Sequence, residues 1–195
     1  MKALILSIFL IMSLTTNSDA ATKSTAIFAG GCFWCMQPVF DSAEGVTSTF
    51  VGYSGGDFKN PTYEDLHNKN TGHYEAIEVT YNPTKASYEE LVRIYFANID
   101  PFDEKGQFAD KGQEYETVIF YADAKQKEIA EKIKAEVAAK FPTKKIAVKI
   151  LPAKPFYKAE DYHQKYYQKN QIRYELYKHG SGRADGIKQI WGSKK

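Results

Sequence analysis

The chain has 195 residues and a mass of 22.1 kDa, and is 43% hydrophobic, 14% aromatic and 26% charged, which fits one folded domain and excludes a disordered chain. A net charge of +2 and a pI near 8.3 exclude the one-sided basic surface of a dedicated nucleic-acid binder. Two cysteines are too few for a disulfide-stapled scaffold or a four-cysteine zinc site.

Residues 1–20 read as a signal peptide. Lys2 is followed by an apolar run over residues 3–14, shorter than the ~20 residues of a membrane span. A polar stretch then ends in the small-residue pair Ser18-x-Ala20. No cysteine stands there to carry a lipid anchor, so the mature chain is expected to begin near Ala21. It would then be an exported protein, periplasmic or secreted, without a membrane span. Residues 21–195 show no repeat, low-complexity tract or charge block and read as one domain.

Residues 25–29 form a short apolar run closed by Gly30-Gly31, which predicts a buried strand. A helix is expected from the cysteines through Phe40, with Pro38 confining it to start there. Thr47, Thr49, Val51 and Tyr53 alternate with their neighbours up to Gly55-Gly56, and Ile77, Val79 and Tyr81 line one side of another strand before Asn82-Pro83. Ser87 with Glu90 makes a capping box that opens a helix through Leu91, Ile94 and Tyr95. Residues 117–121 read as a central strand. Ile129, Ile133 and Val137 mark an amphipathic helix over residues 125–140 with a Lys/Glu outer face. Ile146, Val148 and Ile150 line a last strand, which Pro152 ends. After Asp161 the chain turns Tyr- and Lys-rich, and a partly irregular region wrapped over the domain is expected. Interleaved strands and helices give an α/β or α+β class with one sheet covered by helices.

The chemistry sits in Gly30-Gly31-Cys32-Phe33-Trp34-Cys35. A cysteine at a helix N-terminus meets unpaired N–H groups and the positive end of the dipole, both of which favour thiolate. Cys32 should gain most, and Cys35, one turn later, is placed to attack whatever forms on it. A purely structural disulfide is disfavoured: closing a four-residue loop gains about 2 kcal/mol, against roughly 3 for fifteen residues. His67, His73, His163 and His179 are scattered, with no metal-ligand spacing. The dithiol leaves two readings, a thioredoxin-like disulfide oxidoreductase or a nucleophilic cysteine acting on a substrate that is then reduced. The bulky pair Phe33-Trp34 suggests a pocket for a small apolar group.

The chain resembles the A-type peptide methionine sulfoxide reductases. The likeness rests on the cysteine motif, Gly52-Tyr53-Ser54-Gly55-Gly56, Asn60-Pro61-Thr62-Tyr63-Glu64 and Thr71-Gly72-His73-Tyr74-Glu75-Ala76. It continues through Asp110-Lys111-Gly112-Gln113-Glu114-Tyr115 and Phe156-Tyr157-x-Ala159-Glu160-Asp161-Tyr162-His163-Gln164, in family order along nearly all of residues 21–195. The resemblance implies reduction of S-methionine sulfoxide, free and in proteins. It also implies a two-layer α/β sandwich related to the ferredoxin-like fold, with the catalytic cysteine at the N-terminus of the first helix.

By the same resemblance Cys32 is the nucleophile, Phe33 and Trp34 hold the substrate methyl group, and Glu75 protonates the sulfoxide oxygen. Tyr63 and Tyr115 hydrogen-bond that oxygen, and Asp110 orients substrate or a water. These roles suit the chemistry, because a sulfoxide oxygen leaves poorly unless a neutral, buried acid protonates it. Attack would leave a sulfenic acid on Cys32, which Cys35 condenses to a disulfide. Family members often carry a further resolving cysteine; position 67 here is His67 and the C-terminal stretch has none, so Cys35 is the intramolecular candidate. Residues 100–108 also depart from the commoner pattern. No bound cofactor or metal is implied, but an external reductant is, thioredoxin-like or dithiothreitol. The expected partners are oxidised proteins or free methionine sulfoxide and that reductant, with no nucleic acid, and a monomer is expected. The rival readings are an exported thioredoxin-like dithiol-disulfide oxidoreductase, indifferent to Glu75, and a secreted binding domain, indifferent to Cys32.

Overall fold

The computed structural model describes residues 23–192; the leader expected over residues 1–20 lies outside them. The strands are β1 (Ser24–Gly30), β2 (Val46–Ser54), β3 (Tyr74–Tyr81), β4 (Gly106–Gln107), β5 (Asp110–Lys111), β6 (Thr117–Tyr121), β7 (Lys149–Pro152) and β8 (Tyr157–Lys158). The helices are α1 (Phe33–Asp41), α2 (Tyr63–Asn68), α3 (Tyr88–Phe96), α4 (Ala124–Lys140), α5 (Tyr166–Lys169), α6 (Gln171–Gly180) and α7 (Arg183–Trp191). No helix among the described residues is long and apolar enough to cross a membrane.

One six-stranded sheet runs in the order β7-β6-β1-β3-β2-β8, antiparallel except for the β6/β7 pair. Residues 117–121 thus form the strand next to β7, while β1 and β3 hold the centre. Ile146 and Val148 are buried ahead of β7, which is only four residues long, starting after both of them, and ends at Pro152 as expected. The hairpin β4–β5 and the short edge strand β8 carry too few residues for a period of two to register.

Strand periodicity divides the sheet into two faces. Phe28, Ile77 and Ile119 stand side by side across β1, β3 and β6 and point at α1, α3 and α4. There Phe28 stacks between Phe40 of α1 and Tyr95 of α3, with ring centroids 5.1 Å away in both cases. The Tyr95 hydroxyl donates to Ala29 O at 2.7 Å, which fixes α3 to β1. Ala29, Ala76, Val118 and Phe120 form the core of the opposite face.

Ser87 caps α3 in the expected box, and Asp123 caps α4 through the Gln126 N–H. In α4, Ala130, Ile133 and Val137 are buried under the charged outer face. Helix α1 starts directly after Cys32, but Pro38 lies in its second turn rather than its first. Sheet and core packing hold the helix through the proline, although its ring removes the N–H that would bond Trp34 O. The stretch after Asp161 is mostly helical rather than irregular, and α5, α6 and α7 carry residues back to the start of α1. Gly31, between β1 and Cys32, has φ +77°, a left-handed conformation open to glycine, and turns the chain off the sheet into α1.

Candidate active site

Glu75 lies two residues before Ile77 on β3, on the face that carries the helices, and faces Tyr53 of β2 across the ladder. The next strand over, β1, leaves the sheet at Gly30, so the carboxyl occupies the gap where the chain turns into α1. It is 2% exposed, and its Oε2 accepts the Phe33 N–H at 3.0 Å. Burial pushes the carboxyl up to about 8, against the opposing pull of that hydrogen bond. A proton is therefore held on a buried acid near neutral pH.

That arrangement changes the expectation for the cysteines. The first free N–H of the helix is taken by Glu75 rather than by a thiolate. Cys32, at the N-cap and 6% exposed, is raised well above the ordinary thiol range, first by burial, then by its hydrogen bond to Cys35 and the charge of Glu75. Cys35 is instead lowered, chiefly by the hydrogen bond from Cys32 and helped by the Arg183 guanidinium. Both thiols are free and buried. The helix end thus favours the acid at rest, and burial works against ionisation of Cys32.

Aromatic rings build the wall around this pair. Trp34 stacks on Tyr166 of α5 at 3.9 Å between centroids and meets Tyr177 of α6 edge-on at 5.8 Å. Its indole N–H donates to His163 Nδ1 at 3.0 Å. His163 is 1% exposed and packs against Phe33 and Tyr63 at 5.0 and 4.5 Å. Burial lowers it to about 4, so it is neutral, and accepting through Nδ1 puts its proton on Nε2. Phe33 itself is buried against Tyr53, whose hydroxyl donates to Glu160 Oε2 at 2.8 Å.

Tyr63 begins α2, and its N–H donates to Glu160 Oε1 at 2.9 Å. Its hydroxyl interacts with that of Tyr115, which ends the 3-10 turn Gln113–Tyr115. Both phenols are raised by burial and by the charge of Glu75, so they stay neutral donors. Asp110, in the hairpin, accepts from the Tyr177 hydroxyl at 2.5 Å, and its own carboxyl is raised by burial. All eight residues singled out in the sequence, Cys32, Phe33, Trp34, Cys35, Tyr63, Glu75, Asp110 and Tyr115, therefore lie on elements that meet at the start of α1.

Three further residues of this region carried no signal that spacing could find. His163 stood in a motif but read as one of four scattered histidines. Tyr177 reaches the pair from α6, with a hydrogen bond to Cys32 as well as to Asp110. Arg183, at the start of α7 and 5% exposed, donates through Nη2 to Gly30 O at 3.0 Å and Asn98 O at 2.7 Å and touches Met36 Sδ. It ties the C-terminal segment to the turn that precedes Cys32.

The raised acid has a consequence for folding. Glu75 takes up its proton near 4.5 when unfolded and near 8 when folded, so the folded chain holds more protons between those values. Stability from this group is full below about 4.5 and is lost as pH rises through about 8. Urea midpoints measured from pH 5 to 9 should fall with pH for the native chain and fall less for Glu75→Gln; identical slopes would contradict a buried neutral acid.

The comparisons with known proteins agree along the whole domain. The family profile described as "Peptide methionine sulfoxide reductase" matches residues 24–195. The chain is 47% identical over 173 residues to peptide methionine sulfoxide reductase MsrA of Bacillus subtilis, covering 88% of this chain and 98% of that one. Among solved structures, methionine sulfoxide reductase A of Corynebacterium diphtheriae matches with a TM-score of 0.69 at 34% identity, over 77% of this chain and 76% of that one. Reduced Mxr1 of Saccharomyces cerevisiae matches with a TM-score of 0.71 at 32% identity, over 78% and 88%. Mxr1 has also been solved in complex with Trx2, a match at TM-score 0.52 and 27% identity over 78% and 90%. The chain belongs to the A-type peptide methionine sulfoxide reductases, oxidoreductases of protein repair that return methionine sulfoxide to methionine.

Proposed function

We propose that the chain reduces S-methionine sulfoxide, free and in proteins, with Cys32 as nucleophile, Glu75 as acid and Cys35 as resolving thiol. The observation that carries this reading is the buried Glu75 carboxyl, protonated up to about pH 8, beside the N-cap cysteine. The sulfoxide oxygen takes the proton from Glu75 and hydrogen bonds from Tyr63 and Tyr115, while the methyl group lies against Phe33 and Trp34. Asp110 orients the substrate or a water. Cys32 attacks sulfur, and its own proton restores the acid. Methionine leaves and the oxygen remains as a sulfenic acid on Cys32; Cys35 then displaces it as water and forms the Cys32–Cys35 disulfide.

The strand order supports relating the fold to the ferredoxin-like arrangement. Counting only β1, α1, β2, β3, α3 and β6, the sheet reads β6-β1-β3-β2 with antiparallel neighbours, and the cysteine that acts stands at the head of its first helix. We assign residues 21–195 to one catalytic domain that works as a monomer, and residues 1–20 to a signal peptide that exports it to the periplasm or outside. The complex of the yeast relative with Trx2 supports a thioredoxin-like reductant, for which dithiothreitol substitutes in the test tube.

A single turnover tests the reading. Fully reduced protein is mixed with a peptide carrying S- or R-methionine sulfoxide, without reductant, and the methionine is counted. About one equivalent from the S form alone, with both thiols consumed, is expected. In Cys35→Ser the same equivalent should form while a sulfenic acid persists on Cys32, trapped by dimedone. No methionine from either epimer, with thiols still exchanging with disulfides, would hand the role to a dithiol-disulfide oxidoreductase.

A further inference from the structure

Cys35 also faces a second space. A cavity of ≈ 540 Å³ is lined by Cys35, Ile94, Tyr174, Lys178, Arg183 and Ile187, among others. Cys32, Trp34, Tyr63, Glu75 and Tyr115 are not part of its wall, so it is separate from the sulfoxide site. Its size falls in the roughly 300–1,000 Å³ range of small-molecule sites. Of the two cysteines only Cys35 is in its wall, and at 5% exposed it is reached by something slender.

The charged residues of its wall have one sign, although the Asp110 carboxyl behind the wall also acts on Cys35 and Arg183. Arg183 and Lys178 contribute cations, and no aspartate or glutamate lines the wall. The Arg183 guanidinium spends its hydrogen bonds on Gly30 O, Asn98 O and Met36 Sδ, none of which neutralises it. Lys178 has a single loose ion pair, with Glu175 at 3.6 Å outside the cavity. Ile94 and Ile187 supply the apolar surface that a short carbon chain would cover.

We propose that this cavity binds an anionic low-molecular-weight thiol, which reduces the Cys32–Cys35 disulfide by attacking Cys35. The proposal rests on the disulfide chemistry given under the proposed function. The incoming thiolate forms a bond to Cys35 Sγ, the Cys32–Cys35 bond breaks, and Cys32 leaves as a thiolate that takes up a proton. A second thiolate attacks the mixed disulfide, releasing the small disulfide and the Cys35 thiolate. Two small thiols are oxidised and one protein disulfide is reduced. The sulfoxide and the reductant then use different entrances to the same pair of sulfurs.

The test starts from the disulfide form made by one turnover with an S-sulfoxide peptide; failure to obtain it would count against the proposed function and not against the cavity. Its reduction is followed with 2-mercaptoethanesulfonate and with 2-mercaptoethanol, thiols of similar acidity that differ in the added negative charge. The sulfonate should act about fivefold faster at low salt, saturate with concentration, and lose its lead as salt rises. Lys178→Gln should bring the ratio of the two rates towards one, with the neutral thiol serving as the control for access and folding. Mass spectrometry of the trapped mixed disulfide should place the small thiol on Cys35. Equal rates for both thiols, an unchanged ratio in Lys178→Gln, adduct on Cys32, or reduction by a thioredoxin-like protein alone would each overturn the proposal.

Discussion

Replacing Glu75 by Gln is expected to slow reduction of S-methionine sulfoxide by about a hundred- to ten-thousandfold, the usual contribution of a positioned general acid. The amide keeps the volume and can still accept the Phe33 N–H, so the turn into α1 should survive. What is lost is the proton. At the same time the charge that raises Cys32 disappears, so the thiol should ionise more readily, and its alkylation profile should move to lower pH. The two readouts run in opposite directions: above about pH 8, where the native Glu75 is charged, iodoacetamide reacts faster with the variant, while methionine forms far more slowly. In the native chain the single-turnover rate should fall as pH rises through about 8, where Glu75 gives up its proton, and that limb should be missing from the variant. Full activity in Glu75→Gln would remove the acid from the mechanism, and slowed alkylation would mean that the site had collapsed.

The largest effect on stability is expected at Phe28. The ring is fully buried on β1, stacked with Phe40 and Tyr95 and packed 6.2 Å from Tyr88. Phe28→Ala would open a cavity between the sheet and two helices at once and should cost about 3–5 kcal/mol. Urea unfolding should show a lower midpoint at unchanged slope. The change should reach the site as well, because Phe40 stacks on Phe28 from the far end of α1, and the N-cap and first turn of that helix carry the two cysteines. A loss under about 1 kcal/mol would mean that the neighbouring rings close the gap.

The central strands and the two capped helices were legible because each obeys one period for several turns. Ile77, Val79 and Tyr81 share a face, Ile129, Ile133 and Val137 share another, and Ser87 with Glu90 marks a helix start. Pairing order was not legible, since the same alternation serves a strand at any place in the sheet, although residues 117–121 do lie inside it, paired with β1 and β7. The site divides in the same way. A thiol pair after Gly30-Gly31 announces redox chemistry by itself, whereas Glu75, Tyr63 and Tyr115 look like ordinary strand and helix residues and were found by resemblance. His163, Tyr177 and Arg183 join α1 over separations of 129 residues for His163 to Trp34 and 153 for Arg183 to Gly30. No local period reports a contact at that range. The gain expected for Cys32 from the helix end fails for another reason: a residue forty-two positions away from Phe33 takes the first N–H, and the thiol itself is buried.

The placement of Tyr166, Tyr177 and Arg183 so late in the chain bears on how the enzyme comes into being. A chain emerging from its N-terminus brings out Cys32 and Cys35 early, yet a nascent polypeptide that has reached residue 160 still lacks the stacked partner of Trp34, the phenol beside Cys32 and the cation at Gly30. Through that interval the two thiols lack these contacts. Closing a loop of this length is among the slower steps of folding a mixed α/β domain. The last residues to arrive therefore complete the aromatic and cationic wall around the two cysteines. An oxidising compartment that met the chain before then would pair the sulfurs without any sulfoxide having been repaired.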